Sequence, residues 1–271
     1  MQKLIEVTKS VLEERADLPF SVYSSSAEQF MLNVPVAKPL LIFVLSGNKT
    51  LGVKNEIDCP SGSFVFLSNT PNIAMRNVPN DVEYFAILIE FSYADFEGIR
   101  QNRDSSEAYF KGPIEPRLRQ TLQQFIEWSA FAPKELWHLR RQEILHVLLS
   151  LDFDQVRSIV EPPTLSHKVH TIISDDLSND LSAETLSSML AMSESTLRRK
   201  LLAEGASLQQ IKDRARLGYG LHLVQTSFEP IGLIAEKCGY ASQSRFTDKF
   251  KQLFDITPTA LRKTRLTVLG E

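Results

Sequence analysis

The spacing of apolar residues changes rhythm part-way along the chain. Up to about Phe91 they come in short runs stopped by turn signals. Pro39-Leu40-Leu41-Ile42-Phe43-Val44-Leu45 ends at Ser46-Gly47-Asn48, and Leu51-Gly52-Val53 is followed by Pro60-Ser61-Gly62. Ser63-Phe64-Val65-Phe66-Leu67 ends at Ser68-Asn69-Thr70-Pro71-Asn72. Ile73-Ala74-Met75-Arg76 precedes Pro79-Asn80-Asp81, and Val82 to Phe91 closes the series. Short β-branched and aromatic runs at regular spacing predict an all-β sandwich or barrel over the first ninety residues. From Glu115 the period becomes helical. Leu118, Leu122, Phe125 and Ile126 mark one amphipathic helix over 115–131. Leu136, Leu139, Ile144, Val147, Leu148 and Leu151 mark a second over 135–151, with Pro133 near its start. Pro162-Pro163 cannot continue a helix and places a linker within 152–163. From Thr164 onward only helices are expected. The reading is α+β: residues 1–112 form a β-rich sensor or regulatory domain, 113–163 a helical connector and linker, and 164–271 an all-α domain.

The all-α segment contains two similar short units. In the first, a helix with apolar Leu186, Met189 and Leu190 meets a polar turn, and Ser193 can cap the next helix. In the second, Ile231 to Lys237 is followed by Gly239, where a tight turn needs a left-handed residue, and Ser242 can cap the following helix. Phe246 and Phe250 are four apart and share an inward face, so Gln243, Ser244, Thr247 and Lys251 lie on other faces. Each unit has the form of a helix-turn-helix, and two in tandem, joined by a helix-like stretch from Leu208 to Ser227, carry far more information than one.

Ile234-Ala235-Glu236-Lys237-Cys238-Gly239-Tyr240, then Ser242-Gln243-Ser244-Arg245-Phe246, Phe250-Lys251 and Phe254-Asp255-Ile256-Thr257-Pro258, resembles the signature of AraC/XylS transcription regulators. The resemblance covers about Thr164 to Arg265. In outline the chain is similar to a branch that includes enteric virulence and acid-resistance regulators. The resemblance implies a cupin-like β-barrel in the N-terminal half, promoter DNA and RNA polymerase as partners, and an activating role. It also assigns site residues. Ser195, Arg198 and Arg199 match the family's base-reading face on the first unit, and Gln243, Ser244 and Thr247 match it on the second. Arginine can bridge guanine O6 and N7, and glutamine can be bidentate to adenine. Lys200, Lys249 and Lys251 are expected on phosphates, which gives affinity without sequence information. Arg245 either joins them or forms an ion pair within the domain. Two departures stand out. Gly218 and Gly220 interrupt the connecting helix, where the family has a small alanine near Gly220. Asp248 stands where relatives often carry a base.

Composition adds limits. With 271 residues, 43% hydrophobic and 23% charged, the chain is ordinary globular material for about two domains. Cys59 and Cys238 are the only cysteines and form no Cys-x-x-Cys pair, which fits a reducing cytoplasm better than a disulfide or zinc framework. No apolar run reaches the roughly 18–20 residues of a membrane helix, and the N-terminus does not read as a signal peptide. The formal net charge of −3 argues by itself against nucleic acid. Divided by segment, it does not. Between Thr196 and Arg216 six basic residues face two acidic ones, and between Lys237 and Gln252 four face one. Such modest excesses predict moderate, salt-sensitive affinity for DNA.

The β region supplies Phe20, Phe30, Phe43, Phe64, Phe66, Phe85 and Phe91, which either fill a core or line an apolar pocket. A pocket for a small amphiphile needs a basic residue for its head group. Arg76, between Met75 and Val78, is the first candidate and Lys38 the second. The resemblance makes a fatty acid the first candidate effector. The alternative is a ligand-independent regulator whose N-terminal domain binds a partner protein or only dimerises. Helices 115–151 either pack within the domain or contribute a homodimer interface. No enzyme, cofactor or metal is expected. All five histidines, His138, His146, His167, His170 and His222, follow the barrel, so it cannot supply a two-histidine metal triad. His167 and His170, three apart, read as a solvated or packing pair, and no nucleophile elbow or phosphate-binding loop is present.

Overall fold

The computed structural model describes residues 1–15, 17–69, 72–102, 108–160, 164–177, 179 and 181–265. The linker prolines Pro162 and Pro163 lie outside the described residues. Among the described residues, nine strands form two antiparallel sheets. In chain order they are β1 (Ser21–Ser25), β2 (Gln29–Val34), β3 (Leu40–Ser46), β4 (Asn48–Leu51), β5 (Ile57–Pro60), β6 (Ser63–Leu67), β7 (Ile73–Val78), β8 (Tyr84–Glu90) and β9 (Tyr109–Pro113). One sheet runs β1-β8-β3-β6-β9 and the other β2-β7-β4-β5. The two sheets give the β-rich architecture expected from the turn spacing and the cupin-like barrel that the resemblance implied.

The continuous apolar runs of β3, β6 and β8 have a simple cause. Alternate side chains leave opposite faces of a strand. Leu41, Phe43, Phe64, Phe66, Phe85 and Ile87 enter one core, while Ile42, Val44, Val65, Leu67, Ala86 and Leu88 enter another. The five-stranded sheet is covered on both sides, so neither face is polar. Its outer cover is helical: α1 (Gln2–Glu14), α2 (Pro116–Ser129) and α3 (Trp137–Ser150). Leu118, Leu122, Phe125, Ile126, Ile144 and Leu148 share that first core with the strands. Leu136 and Leu139, expected on the apolar stripe, are instead exposed.

α1 corrects the all-strand reading of the first ninety residues. Its Leu4, Ile5, Thr8 and Val11 are buried at helical spacing. That signal was in the sequence, in a segment with none of the β-branched runs that follow.

The rest is helical: α4 (Leu165–Asp175), α5 (Ala183–Met189), α6 (Glu194–Ala203), α7 (Leu208–Thr226), α8 (Ile231–Lys237), α9 (Gln243–Phe254) and α10 (Pro258–Lys263). α5–α6 and α8–α9 are the two helix-turn-helix units, and they are anchored differently. The first has its own core of Val169, Ile173, Leu186, Leu197, Leu201 and Ile211. The second shares a core with the barrel, where Phe246, Phe250 and Phe254 join Met31, Val34 and Ile42. Polar bonds reinforce this junction. Asn33 Nδ2 donates to the Leu253 carbonyl (3.0 Å), and Gln29 Nε2 donates to Thr264 Oγ1 (2.8 Å). Inside the barrel, Lys49 Nζ donates to Asn77 Oδ1 (2.7 Å). Asn77 Nδ2 and Gln225 Nε2 of α7 both donate to Gln29 Oε1 (2.9 and 3.1 Å). Burial pushes the Lys49 ammonium down to about 8.

Both helical glycines have a packing reason. A Cβ on Gly220 would lie 2.7 Å from the Phe246 ring and 3.3 Å from Cys238 Sγ; one on Gly218 would lie 3.0 Å from Pro35 of the barrel. Gly220→Ala is expected to destabilise the chain by about 1–3 kcal/mol, because overpacking outweighs the ~0.5–1 kcal/mol gain in helix propensity. Urea unfolding checks this; a stabilised variant would contradict the packing argument.

Candidate nucleic-acid interface and interdomain cavity

The two units end their first helices alike. Ala191 (φ 52°) and Gly239 (φ 73°) are left-handed, and Met192 N–H and Tyr240 N–H each donate back to a carbonyl five residues earlier, at 2.9 Å. Glycine is needed in the second unit because a Cβ there would sit 2.6 Å from the Leu177 carbonyl oxygen. The second helices start alike too. Ser193 Oγ accepts from Thr196 N–H and Ser242 Oγ from Arg245 N–H, both at 3.3 Å.

α6 turns Leu197 and Leu201 inward and leaves Ser195, Arg198, Arg199 and Lys200 exposed. α9 buries Phe246, Phe250 and Phe254 and leaves Gln243, Ser244, Arg245 and Lys251 exposed, with Thr247 half-buried. Among the described residues, the side chains of Arg199, Lys200, Arg245 and Lys251 make no hydrogen bond or ion pair. Arg198 lies 3.6 Å from Glu194. Such an exposed i,i+4 pair is worth about 0.3–0.5 kcal/mol, less than the ~1–3 kcal/mol of a bidentate guanine contact, so it does not hold Arg198 back. Lys249 leans towards Asp213 of α7 (4.0 Å), and Asp248 is exposed. At the far end of α6, the Glu204 carboxylate accepts from the Leu165 and Ser166 N–H groups (3.0 and 2.8 Å), tying the first unit to α4.

Between the barrel and the helical domain lies a cavity of about 530 Å³. It is lined from the barrel by Tyr23, Lys38, Met75 and Glu90, and from α4 and α7 by His170 and His222. A side pocket of about 70 Å³ adjoins it, where His167, His170, Ser166 and Arg214 meet Pro35–Ala37. Lys38 Nζ is 4.0 Å from a Glu90 oxygen. Arg141 also lines the cavity but is tied to buried Asp95 by bonds of 2.8 and 3.2 Å. Asn69 bonds to the His167 ring, which also caps α4 through Thr164. Burial, then the positive neighbours His167, Lys38 and Arg214, push the His170 imidazole down to about 4. Burial also lowers His222, against the pull of Glu90.

These histidines set an acid limit. Their native affinities for protons lie below the ordinary value near 6.5, so the unfolded state takes up more protons. Their contribution to stability is complete above about pH 6.5 and is lost as the pH falls towards 4. The denaturation midpoint is expected to drop across that window, and His170→Gln should flatten the drop. A slope identical to wild type would refute this assignment.

Arg76, the first candidate for an effector head group, is elsewhere. On β7 it alternates with Met75, so Met75 reaches the cavity while Arg76 points away. Its guanidinium is 3.0 Å from Glu28 and 4.9 Å from the centre of the Phe30 ring. Lys38, the second candidate, does line the cavity.

A family model described as a helix-turn-helix domain matches residues 186–264. The regulator GadX from Escherichia coli is 30% identical over 126 residues, 45% of this chain and 46% of its own. The regulator SirC from Salmonella typhimurium is 37% identical over 101 residues, 37% of this chain and 34% of its own. Residues 186–264 thus resemble the helix-turn-helix domain of these regulators. The match spans less than half the length of those relatives. Over nearly the full length the fold is similar to ToxT from Vibrio cholerae. An apo ToxT structure covers 92% of this chain and 99% of its own at a TM-score of 0.67 and 15% identity. A second ToxT structure, described as unsaturated fatty acid bound, covers 93% and 96% at 0.62 and 14%. At such identity the likeness concerns the fold.

The helices α6 and α9 were legible in the sequence because caps, turn and apolar face are local. The cavity histidines were not. His170 and His222 are 52 positions apart and meet Lys38 only through the packing of α4 and α7 on the barrel. The one sequence clue was that His170 precedes apolar Ile173 by three residues and so shares its face of α4. Among the described residues no group of histidine, cysteine or acidic side chains could hold a metal, and no helix is long and apolar enough to cross a membrane.

Proposed function

We propose that the chain is a sequence-specific DNA-binding transcription regulator of promoters, acting as an activator in the cytoplasm together with RNA polymerase. The observation that carries this reading is the pair of capped helices α6 and α9, each apolar on its buried face and polar or basic on its exposed one. Such helices enter the major groove and read base edges near their N-terminal ends. Residues 164–271 are the DNA-binding part; residues 1–163 regulate it. A genome-wide binding map tests the proposal: recurring sites upstream of genes are expected, and uniform coverage would overturn it.

The second part concerns regulation. The interdomain cavity falls within the ~300–1,000 Å³ of small-molecule sites, is largely apolar, and carries Lys38. These features suit a fatty acid, with its carboxylate at Lys38. A ligand touching both domains biases their relative placement only through unequal affinity for the two arrangements. Decanoate is expected to raise the thermal midpoint, and Lys38→Ala to reduce that shift. No shift with any fatty acid favours the ligand-independent reading, in which exposed Leu136 and Leu139 of the α3 region serve a partner protein or second copy.

A further inference from the structure

Lys38 alone is a poor partner for a carboxylate. It is half exposed, and Glu90 already stands 4.0 Å away. Arg141 is committed to Asp95, which is fully buried. Asp175 adds a further acid at the cavity edge. Among the other side chains that line the cavity, which include Tyr23, Trp137 and Tyr219, the imidazoles of His170 and His222 are the ones able to take up a proton.

His170 is placed between both spaces. It lines the large cavity and also the 70 Å³ side pocket, where His167 from its own helix and Arg214 from α7 are its neighbours. Ser174 Oγ lies 3.2 Å from its Nδ1. Lys38 faces it from the barrel. The groups around His170 are thus cationic or neutral, with Glu90 and Asp175 further along the same cavity. His222 faces Glu90 from α7. The side pocket is large enough for a head group and too small for an alkyl chain, while the large cavity is mostly apolar. Where the two spaces meet, positive charge thus gathers around one imidazole.

Resting on the effector reading above, we propose that His170 is a head-group residue that takes up a proton when a carboxylate binds. In the empty cavity its positive neighbours and burial keep the imidazole neutral. A carboxylate placed beside it reverses the sign of the local field and makes the imidazolium favourable. The proton comes from solvent and rests on the ring, where it donates to a carboxylate oxygen. Binding is then linked to proton uptake, and affinity rises as the pH falls. A neutral head group gains nothing from the same change. The cavity accordingly selects an acid over the matching alcohol, more strongly at lower pH.

Calorimetry on the full chain tests this, with decanoate and decanol as probes in buffers of different ionisation enthalpy. Decanoate remains ionised between pH 7.5 and 6.0, so a proton taken up belongs to the protein. The expected result is close to one proton per decanoate, none per decanol, and roughly thirtyfold tighter decanoate binding at pH 6.0 than at 7.5. His170→Gln should reduce the proton count and flatten the pH profile. Should that variant fail to fold, the proton count of the wild-type chain decides alone. Decanoate binding without proton uptake overturns the role of His170 and leaves the effector reading intact. Absence of any decanoate or decanol binding overturns both.

Discussion

Phe250→Ala is expected to lower the free energy of unfolding by about 3–5 kcal/mol, a large share of the ~5–15 kcal/mol typical of a domain. Phe250 is fully buried between Phe246 and Phe254, with ring centres 5.5 and 4.6 Å away. Its cavity would open where α9 meets the barrel, because the second helix-turn-helix unit and one face of the barrel share a single core. Denaturant unfolding followed by circular dichroism and by tryptophan fluorescence should therefore show one shifted transition in both signals. Trp128 and Trp137 report from the helical cover of the sheet. A loss below about 1 kcal/mol, or a second unit that melts while the fluorescence stays native, would contradict the shared core.

Arg199→Ala is expected to weaken specific DNA binding by about ten- to a few hundredfold, the equivalent of ~1–3 kcal/mol for a lost bidentate base contact. Arg199 is exposed on α6 and its side chain makes no bond among the described residues, so its removal leaves no buried group unpaired. The circular dichroism and unfolding midpoint should stay within about 0.5 kcal/mol of wild type. Mobility shifts over a series of salt concentrations separate this from a phosphate contact. Lys251→Ala should weaken specific and non-specific binding alike and reduce the salt dependence, while Arg199→Ala should lower only the specific affinity.

The sequence disclosed what local chemistry determines. β3, β6 and β8 were legible as β-branched and aromatic runs between turns, and α6 and α9 as capped helices with one apolar face. α1 was missed because the strand texture after it dominated the reading, although Leu4, Ile5, Thr8 and Val11 carry the helical period. Arg76 was misplaced because an arginine between apolar neighbours on a strand has two possible faces. The register that pairs Arg76 with Phe30 turns it outward. Gly218 and Gly220 looked like weaknesses of a helix. Their meaning depends on Pro35 and Phe246, which only the tertiary packing brings near. The same holds for the cavity, assembled from residues of the barrel and of α3, α4 and α7.

On the proposed function, α6 and α9 read DNA together. Hydroxyl-radical footprinting of the full chain on a site recovered from its binding map tests that most directly. The account predicts two protected segments on one face of the duplex, centred about one turn (~34 Å) apart. Arg199→Ala should erase the segment under α6 and Gln243→Ala weaken the one under α9. A single short footprint, or two segments that both survive these substitutions, would contradict it.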